Sequence, residues 1–191
     1  MDNKQYRKCE RMTVEELTEK DETFSESEIL SKASMTYMML LNSVMIENLD
    51  RIKHKLGTAA YSNINNYIAC LKERNQRKIY EEPIIKKTEI KEITENDKYY
   101  IVKIELYSKY ISYIIDKKTE KILIGDKYKI IEQKNIMTFM KGKNSIEEEI
   151  IKKCPNCGAS MDINSTGICQ YCHKLYDTNS YDWILVNIER E

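Results

Sequence analysis

At Pro83 the spacing of the apolar residues changes from a helical period of about 3.6 to a strand period of 2. Before it, Leu30, Ala33, Tyr37, Met38, Leu41, Val44 and Met45 recur at helical intervals. After it, residues 84–94, 98–115, 121–125 and 127–140 read as strands rich in Ile, Tyr, Val and Thr. Glu95-Asn96-Asp97 and Asp116-Lys117-Lys118-Thr119 supply turns between them. Helices first and antiparallel strands afterwards predict an α+β fold.

The helical part is punctuated. Ser25 with Glu28 three residues later makes a capping box, and Phe24 is placed to staple onto Ile29. The helix that follows runs to about residue 45. Asn48 then reads as the cap of a short second helix carrying Leu49, Ile52 and Leu56, which Gly57 ends. Thr58 reads as the cap of a third, with Tyr61, Ile64, Ile68 and Leu71 on one face. Cys70 on that helix is expected to be buried, His54 to be solvated, and Met39, off the main stripe, to be an exposed contact. Residues 1–24 read as a charged arm with one short helical turn near Val14, because nine acidic residues face five basic ones through Glu28.

In the second strand, Tyr100, Val102, Ile104 and Leu106 share one parity, whereas Ile111, Tyr113 and Ile115 share the other. One face cannot switch parity in a regular strand, so a bulge is expected near Ser108-Lys109. Long bent strands make a curved sheet, and helices in its concavity leave a pocket. The stretch 182–188 alternates again, with apolar residues on both parities, and is expected to be a closing strand that buries Trp183.

Cys154, Cys157, Cys169 and Cys172 form two Cys-x-x-Cys pairs eleven residues apart. That spacing delivers four thiolates to one tetrahedral zinc, closed and therefore structural. A redox dithiol is the competing reading, but it needs only one such pair. His173 sits where the second knuckle turns and is read as a turn residue rather than a ligand.

Composition excludes several classes. Of 191 residues, 41% are apolar and 32% charged, enough for one core and a solvated surface. Lys and Arg number 31, and so do Asp and Glu, which argues against a duplex nucleic-acid partner. No apolar run reaches the roughly 18 residues of a spanning helix. Nor does the N-terminal stretch hold an apolar run of the secretory-signal kind. No phosphate-binding glycine motif is present, and two histidines offer little to acid–base chemistry. Glu147-Glu148-Glu149 reads as a solvated turn of helix.

These residues carry a resemblance. Phe24-Ser25-Glu26-Ser27-Glu28 before a helix, Glu47-Asn48-Leu49-Asp50 before a short one, then Ala60-Tyr61 resemble the Tim44-like domain family. The bent block 99–115 and Asp182-Trp183-Ile184-Leu185 fit the same pattern, which spans roughly residues 20–150 and 180–190. A four-cysteine ribbon close to the last strand is similar to a bacterial branch of that family. The resemblance implies a cone-shaped α+β fold of the nuclear-transport-factor-two-like kind, non-catalytic, with a large apolar pocket. It also implies a lipid or polypeptide partner. Neither a presequence nor a chaperone-binding region is visible, so the mitochondrial import role does not carry over.

The expectations are these. Residues 1–24 form the arm, 25–151 with 177–191 the α+β domain, and 152–176 the zinc ribbon. One structural Zn2+ is held by Cys154, Cys157, Cys169 and Cys172. Tyr37, Met38, Leu41, Met45, Tyr113 and Phe139 line a pocket for a polypeptide or lipid. The protein is a transport-related binding or scaffold protein, cytoplasmic and peripheral to the inner face of the cell membrane. Two alternatives stay open: a small pocket enzyme, marked by a carboxylate facing a tyrosine of perturbed pKa, and a ribbon that contacts nucleic acid or the ribosome.

Overall fold

The computed structural model describes residues 9–143 and 182–191. The elements run β1 (Glu10–Met12), α1 (Val14–Lys20), α2 (Glu26–Met45), a 3-10 turn at Lys53–Lys55, α3 (Thr58–Glu73), β2 (Gln76–Glu95), β3 (Tyr99–Asp116), β4 (Ile122–Gly142) and β5 (Ile184–Arg190). The strands make one antiparallel sheet in the order β1-β2-β3-β4-β5, curled around the helices, and the architecture is α+β.

Helix α2 begins where its chemistry says. The Ser25 hydroxyl accepts from the Glu28 amide at 3.4 Å, and Glu26 and Glu28 sit in the first turn, where the helix dipole favours anions. Its buried stripe is Ile29, Ala33, Thr36, Tyr37, Leu40, Leu41, Ser43 and Val44. Within the segment read as an arm, β1 pairs with the end of β2, and α1 carries a reciprocal Thr13–Glu16 capping box and a fully buried Leu17.

β3 is the spine of the sheet. It pairs with β2 from Asp116 to Tyr100 and with β4 from Tyr99 to Ile115. Its inner face is Tyr100, Val102, Ile104, Leu106, Ser108, Tyr110 and Ser112, all buried. Cross-strand neighbours extend that face: Ile93 and Phe139 flank Val102, and Ile90 and Met137 flank Ile104. The expected parity switch does not occur. Burial alternates without interruption to Ser112, and Ile111, Tyr113 and Ile115 face outward. The extra residues lie on the neighbouring strands instead. β2 shifts register between Glu81 and Ile84, Ile85 and Lys87, and Ile90 and Glu92, while residues 127–129 of β4 bulge between the Ile111↔Ile130 and Ser112↔Asp126 pairs.

Further expectations are corrected. β2 begins at Gln76 rather than after Pro83, because Pro83 falls in a bulge that requires no ladder bond from it, beside Glu82 at φ 49°. The two expected strands at 121–125 and 127–140 are one strand. It turns through Gly125 at φ 89°, where a Cβ would lie 2.6 Å from the Ser112 carbonyl oxygen. The second helix is only the 3-10 turn, and α3 starts from Gly57 without a side-chain cap, Thr58 being its first residue. On α3 the buried stripe is Ala60, Ile64, Ile68 and Leu71, which leaves Cys70 exposed. His54 is half-buried rather than solvated, and burial followed by the Lys55 charge lowers its pKa. Met39 packs partly buried against the core, while Met35 is the exposed methionine of α2.

The terminal stretch does close the sheet. β5 pairs with β4 from Asn135↔Arg190 to Met140↔Ile184, and the Gly57 amide donates to the Leu185 carbonyl at 2.9 Å. Trp183 is buried and meets Phe24 edge-on at 6.0 Å between ring centroids. Beneath it, Lys141 donates to Asp21 at 2.5 Å and Thr23 at 2.6 Å, with side-chain exposures of 8% for Lys141 and 11% for Asp21. The four ribbon cysteines, His173 and Glu147-Glu148-Glu149 lie outside the described residues.

Burial by itself would raise the Asp21 pKa, but hydrogen bonds from Lys141 and Thr23 and the Lys141 charge outweigh it and hold the carboxyl below its usual range. A depressed carboxylate stabilises the fold above its unfolded pKa and loses that contribution as pH falls through its folded one. Asp21→Ala is therefore expected to cost about 3–5 kcal/mol near neutral pH by leaving the buried ammonium unpaired. The gap to wild type should narrow below about pH 4. Asp21→Leu/Lys141→Met should cost much less. Urea unfolding of the three proteins across this pH range checks both statements.

Candidate ligand pocket

Where α2 and α3 lean against the sheet, their side chains leave a cavity of about 220 Å³. α2 contributes Tyr37, Leu40, Leu41 and Val44, and α3 contributes Asn63, Ile64 and Tyr67. The sheet completes it with Tyr80 from β2, Asn135 from β4, and Ile188 and Arg190 from β5. The floor is buried at Tyr37, Tyr80 and Asn135, whereas Asn63, Tyr67 and Arg190 are exposed at the mouth.

The floor is polar inside an apolar frame. The Tyr37 hydroxyl lies 2.9 Å from Ser108 Oγ and accepts from Asn135 Nδ2 at 3.3 Å. Ser108 in turn stands 3.4 Å from the Gln133 carbonyl. This explains why β3 buries Ser108: it partners a tyrosine that reaches down from α2 rather than filling space. Burial, with Tyr37 beside it, pushes the Tyr110 hydroxyl up to about 12. Burial also raises Tyr80 and Tyr67, against the opposing pull of Arg190. These hydroxyls stay protonated and donate or accept hydrogen bonds.

Of the six residues expected to line the pocket, Tyr37 and Leu41 do so. Met38 and Met45 are half-buried beside the core, with Met45 Sδ 3.2 Å from the Tyr80 amide. Phe139 is a fully buried core residue. Tyr113 faces outward and donates to Glu81 at 2.7 Å. The residues that sequence reasoning missed come from places its patterns did not join. Tyr80 precedes the assumed strand start, Asn135 breaks an apolar alternation, and Arg190 lies far along the chain. The signal for Asn63 and Tyr67 was present, since both flank the Ile64–Ile68 stripe of α3.

Carboxylate–tyrosine pairs do occur, as Tyr113–Glu81 and as Tyr107–Glu105 at 2.8 Å, and the three β3 residues among them, Glu105, Tyr107 and Tyr113, belong to its outward parity. Lys134, Tyr107 and Lys91 hydrogen-bond Glu105 and lower its pKa to about 2. They form a solvated charge lattice on the outer face, where single ion pairs contribute little.

A second, larger cleft of about 520 Å³ opens at the start of α2, walled by Ser25, Ser27, Ser31, Lys32, Lys55 and Lys141 among others. Ile29, Met35 and Trp183 give it apolar wall as well, and Glu28 and Asp182 add carboxylates, so it is a mixed cleft at the head of α2 and lies apart from the concavity between α2, α3 and the sheet. Among the described residues, no group of three or more His, Cys, Asp or Glu is placed to hold a metal ion.

A family model described as Tim44-like domain matches residues 11–149. No curated protein matches the chain.

Tyr37→Phe tests the polar floor. It keeps the ring but leaves Ser108 and Asn135 without their shared partner, at an expected cost of about 1–3 kcal/mol. Chemical denaturation reads the loss. A change below about 0.3 kcal/mol would show that the network contributes nothing to the floor.

Proposed function

The chain belongs to the Tim44-like domain family, and on that premise we propose that it is a non-catalytic binding protein. It works at the periphery of a membrane and holds an apolar group of a polypeptide or lipid in the cavity between α2, α3 and the sheet. The observation that carries this reading is the cavity itself, with aliphatic walls from Leu40, Leu41, Val44, Ile64 and Ile188. Its polar groups are tyrosines, amides and one guanidinium, and the tyrosine pKa values are raised, away from the range useful for proton transfer. That chemistry favours holding a ligand over transforming it. At family level the role is membrane-associated. No described helix is long and apolar enough to cross a membrane, so no described helix supplies an anchor. The proposed location is the cytoplasmic side, at the inner face of the cell membrane, in a transport-related process.

Flotation of the full chain with vesicles tests the membrane half of this reading. Recovery with phosphatidylglycerol-containing vesicles is expected. Recovery only in the dense fraction, with and without anionic lipid, would overturn it.

The reading includes one structural zinc. Cys154, Cys157, Cys169 and Cys172 offer four sulfur donors in paired Cys-x-x-Cys spacing, which fits a closed tetrahedral site. When bound, the metal supplies folding free energy to its own module and no chemistry to the pocket. Metal analysis of chelator-free protein should give one zinc per chain. Cys157→Ser should lose it while the helical circular dichroism survives. Less than about half an equivalent in the wild type sinks the assignment.

A further inference from the structure

One cation, Arg190, lines the mouth of the cavity, and a second, Lys78, lies over the ring of another lining residue, Tyr80. Lys78 and Tyr80 share one face of β2, and the Lys78 ammonium lies 5.2 Å above the Tyr80 ring. Tyr80 and Arg190 both line the cavity. Among the described residues, carboxylates pair with Lys20, Lys86, Lys91, Lys103, Lys117, Lys134, Lys141 and others, but with neither Lys78 nor Arg190. The two are close enough to feel each other, and burial together with the Arg190 charge lowers the Lys78 pKa. Like charges held at an apolar opening cost free energy in the empty site and return it to an anion.

Size narrows the ligand further. A cavity of about 220 Å³ exceeds the roughly 150 Å³ that accepts benzene. It equals only about seven water volumes at ~30 Å³ each. One ring or one short chain fits; the paired acyl chains of a membrane lipid do not. The planar guanidinium fork matches a carboxylate bidentately, and Lys78 adds a second positive charge over the Tyr80 ring beside it.

We propose that this cavity binds an aryl or short alkyl carboxylate, its apolar body between α2 and α3 and its carboxylate held by Arg190 and Lys78. The carboxylate belongs either to a free small acid or to the C-terminal residue of a polypeptide. The proposal rests on the pocket reading above and narrows its ligand.

The test titrates the full chain with 3-phenylpropanoate and with 3-phenylpropan-1-ol, which differ in the head group, followed by isothermal calorimetry. The acid is expected to bind at least about tenfold more tightly than the alcohol. In Arg190→Gln and in Lys78→Gln acid binding should weaken far more than alcohol binding, so that the preference falls towards unity. Neither residue is in the core, and either variant alone decides the point if the other fails to fold. Equal affinity of wild type for acid and alcohol overturns the carboxylate assignment and leaves the pocket reading standing. Failure of both to bind overturns the two together. A peptide ending in phenylalanine, as free acid and as amide, separates the sources: binding of the free-acid peptide identifies a polypeptide terminus, and binding of the small acid alone identifies a free metabolite.

Discussion

The structure depends on a mismatch in residue count between neighbouring strands. β3 runs without a bulge through its pairing, while β2 inserts extra residues at three places and β4 loops out 127–129. Two neighbours longer than the strand between them cannot stay flat, so the sheet curls and its local twist increases. The curl supplies the concavity in which α2 buries Tyr37, Leu41 and Val44. The cavity lies where α2 and α3 meet that curled surface. Replacing the bulges by regular pairing would leave the same helices with a flat surface and nothing to enclose.

Much of this was legible in the residues. The Ser25 cap, the α2 stripe, the change of period and the closing strand with a buried Trp183 follow from local chemistry, and the structure repeats them. The direction of the bend did not follow. Apolar parity in β3 changes after Leu106, yet burial does not, because Ser108, bonded to Tyr37, and Ser112 occupy inward positions while Ile111 and Tyr113 lie outward. Polarity is a proxy for burial only where the opposing group is apolar. Here the opposing group at Ser108 is a tyrosine hydroxyl. The pocket was half legible for a related reason. Tyr37 and Leu41 sit on a helix face that periodicity reveals. Tyr80, Asn135 and Arg190 meet them only through tertiary pairing of strands distant in sequence, and no local pattern encodes that meeting.

The inner and outer faces of the sheet divide the labour. Outward, Glu105, Lys91, Lys134 and Glu191 form a lattice that water can reach and replace. Inward, polar groups are few, and two small networks hold several of them: Lys141 has Asp21 and Thr23, and Tyr37 has Ser108 and Asn135. A satisfied interior holds a cavity open rather than letting it collapse, since a shift of any member would strand another. The family's binding role at membranes is consistent with a rigid receptor of this kind.

The position of β5 has a consequence for synthesis of the chain. Its seven residues, Ile184–Arg190, cover Phe139 and Met140 on one side and hold the Leu56–Gly57 junction on the other. Helix α3 docks against them, yet they follow every other described element in order of translation. While the ribosome is still adding residues 144–181, the β2–β3–β4 meander can assemble from neighbours, but α3 has only part of its platform. The long-range closure comes last, and its entropy is charged to a single short strand. Until those residues emerge, the edge of β4 that they pair with has no described strand beside it. Among the described segments, β5 is the one that completes the sheet on which α3 rests.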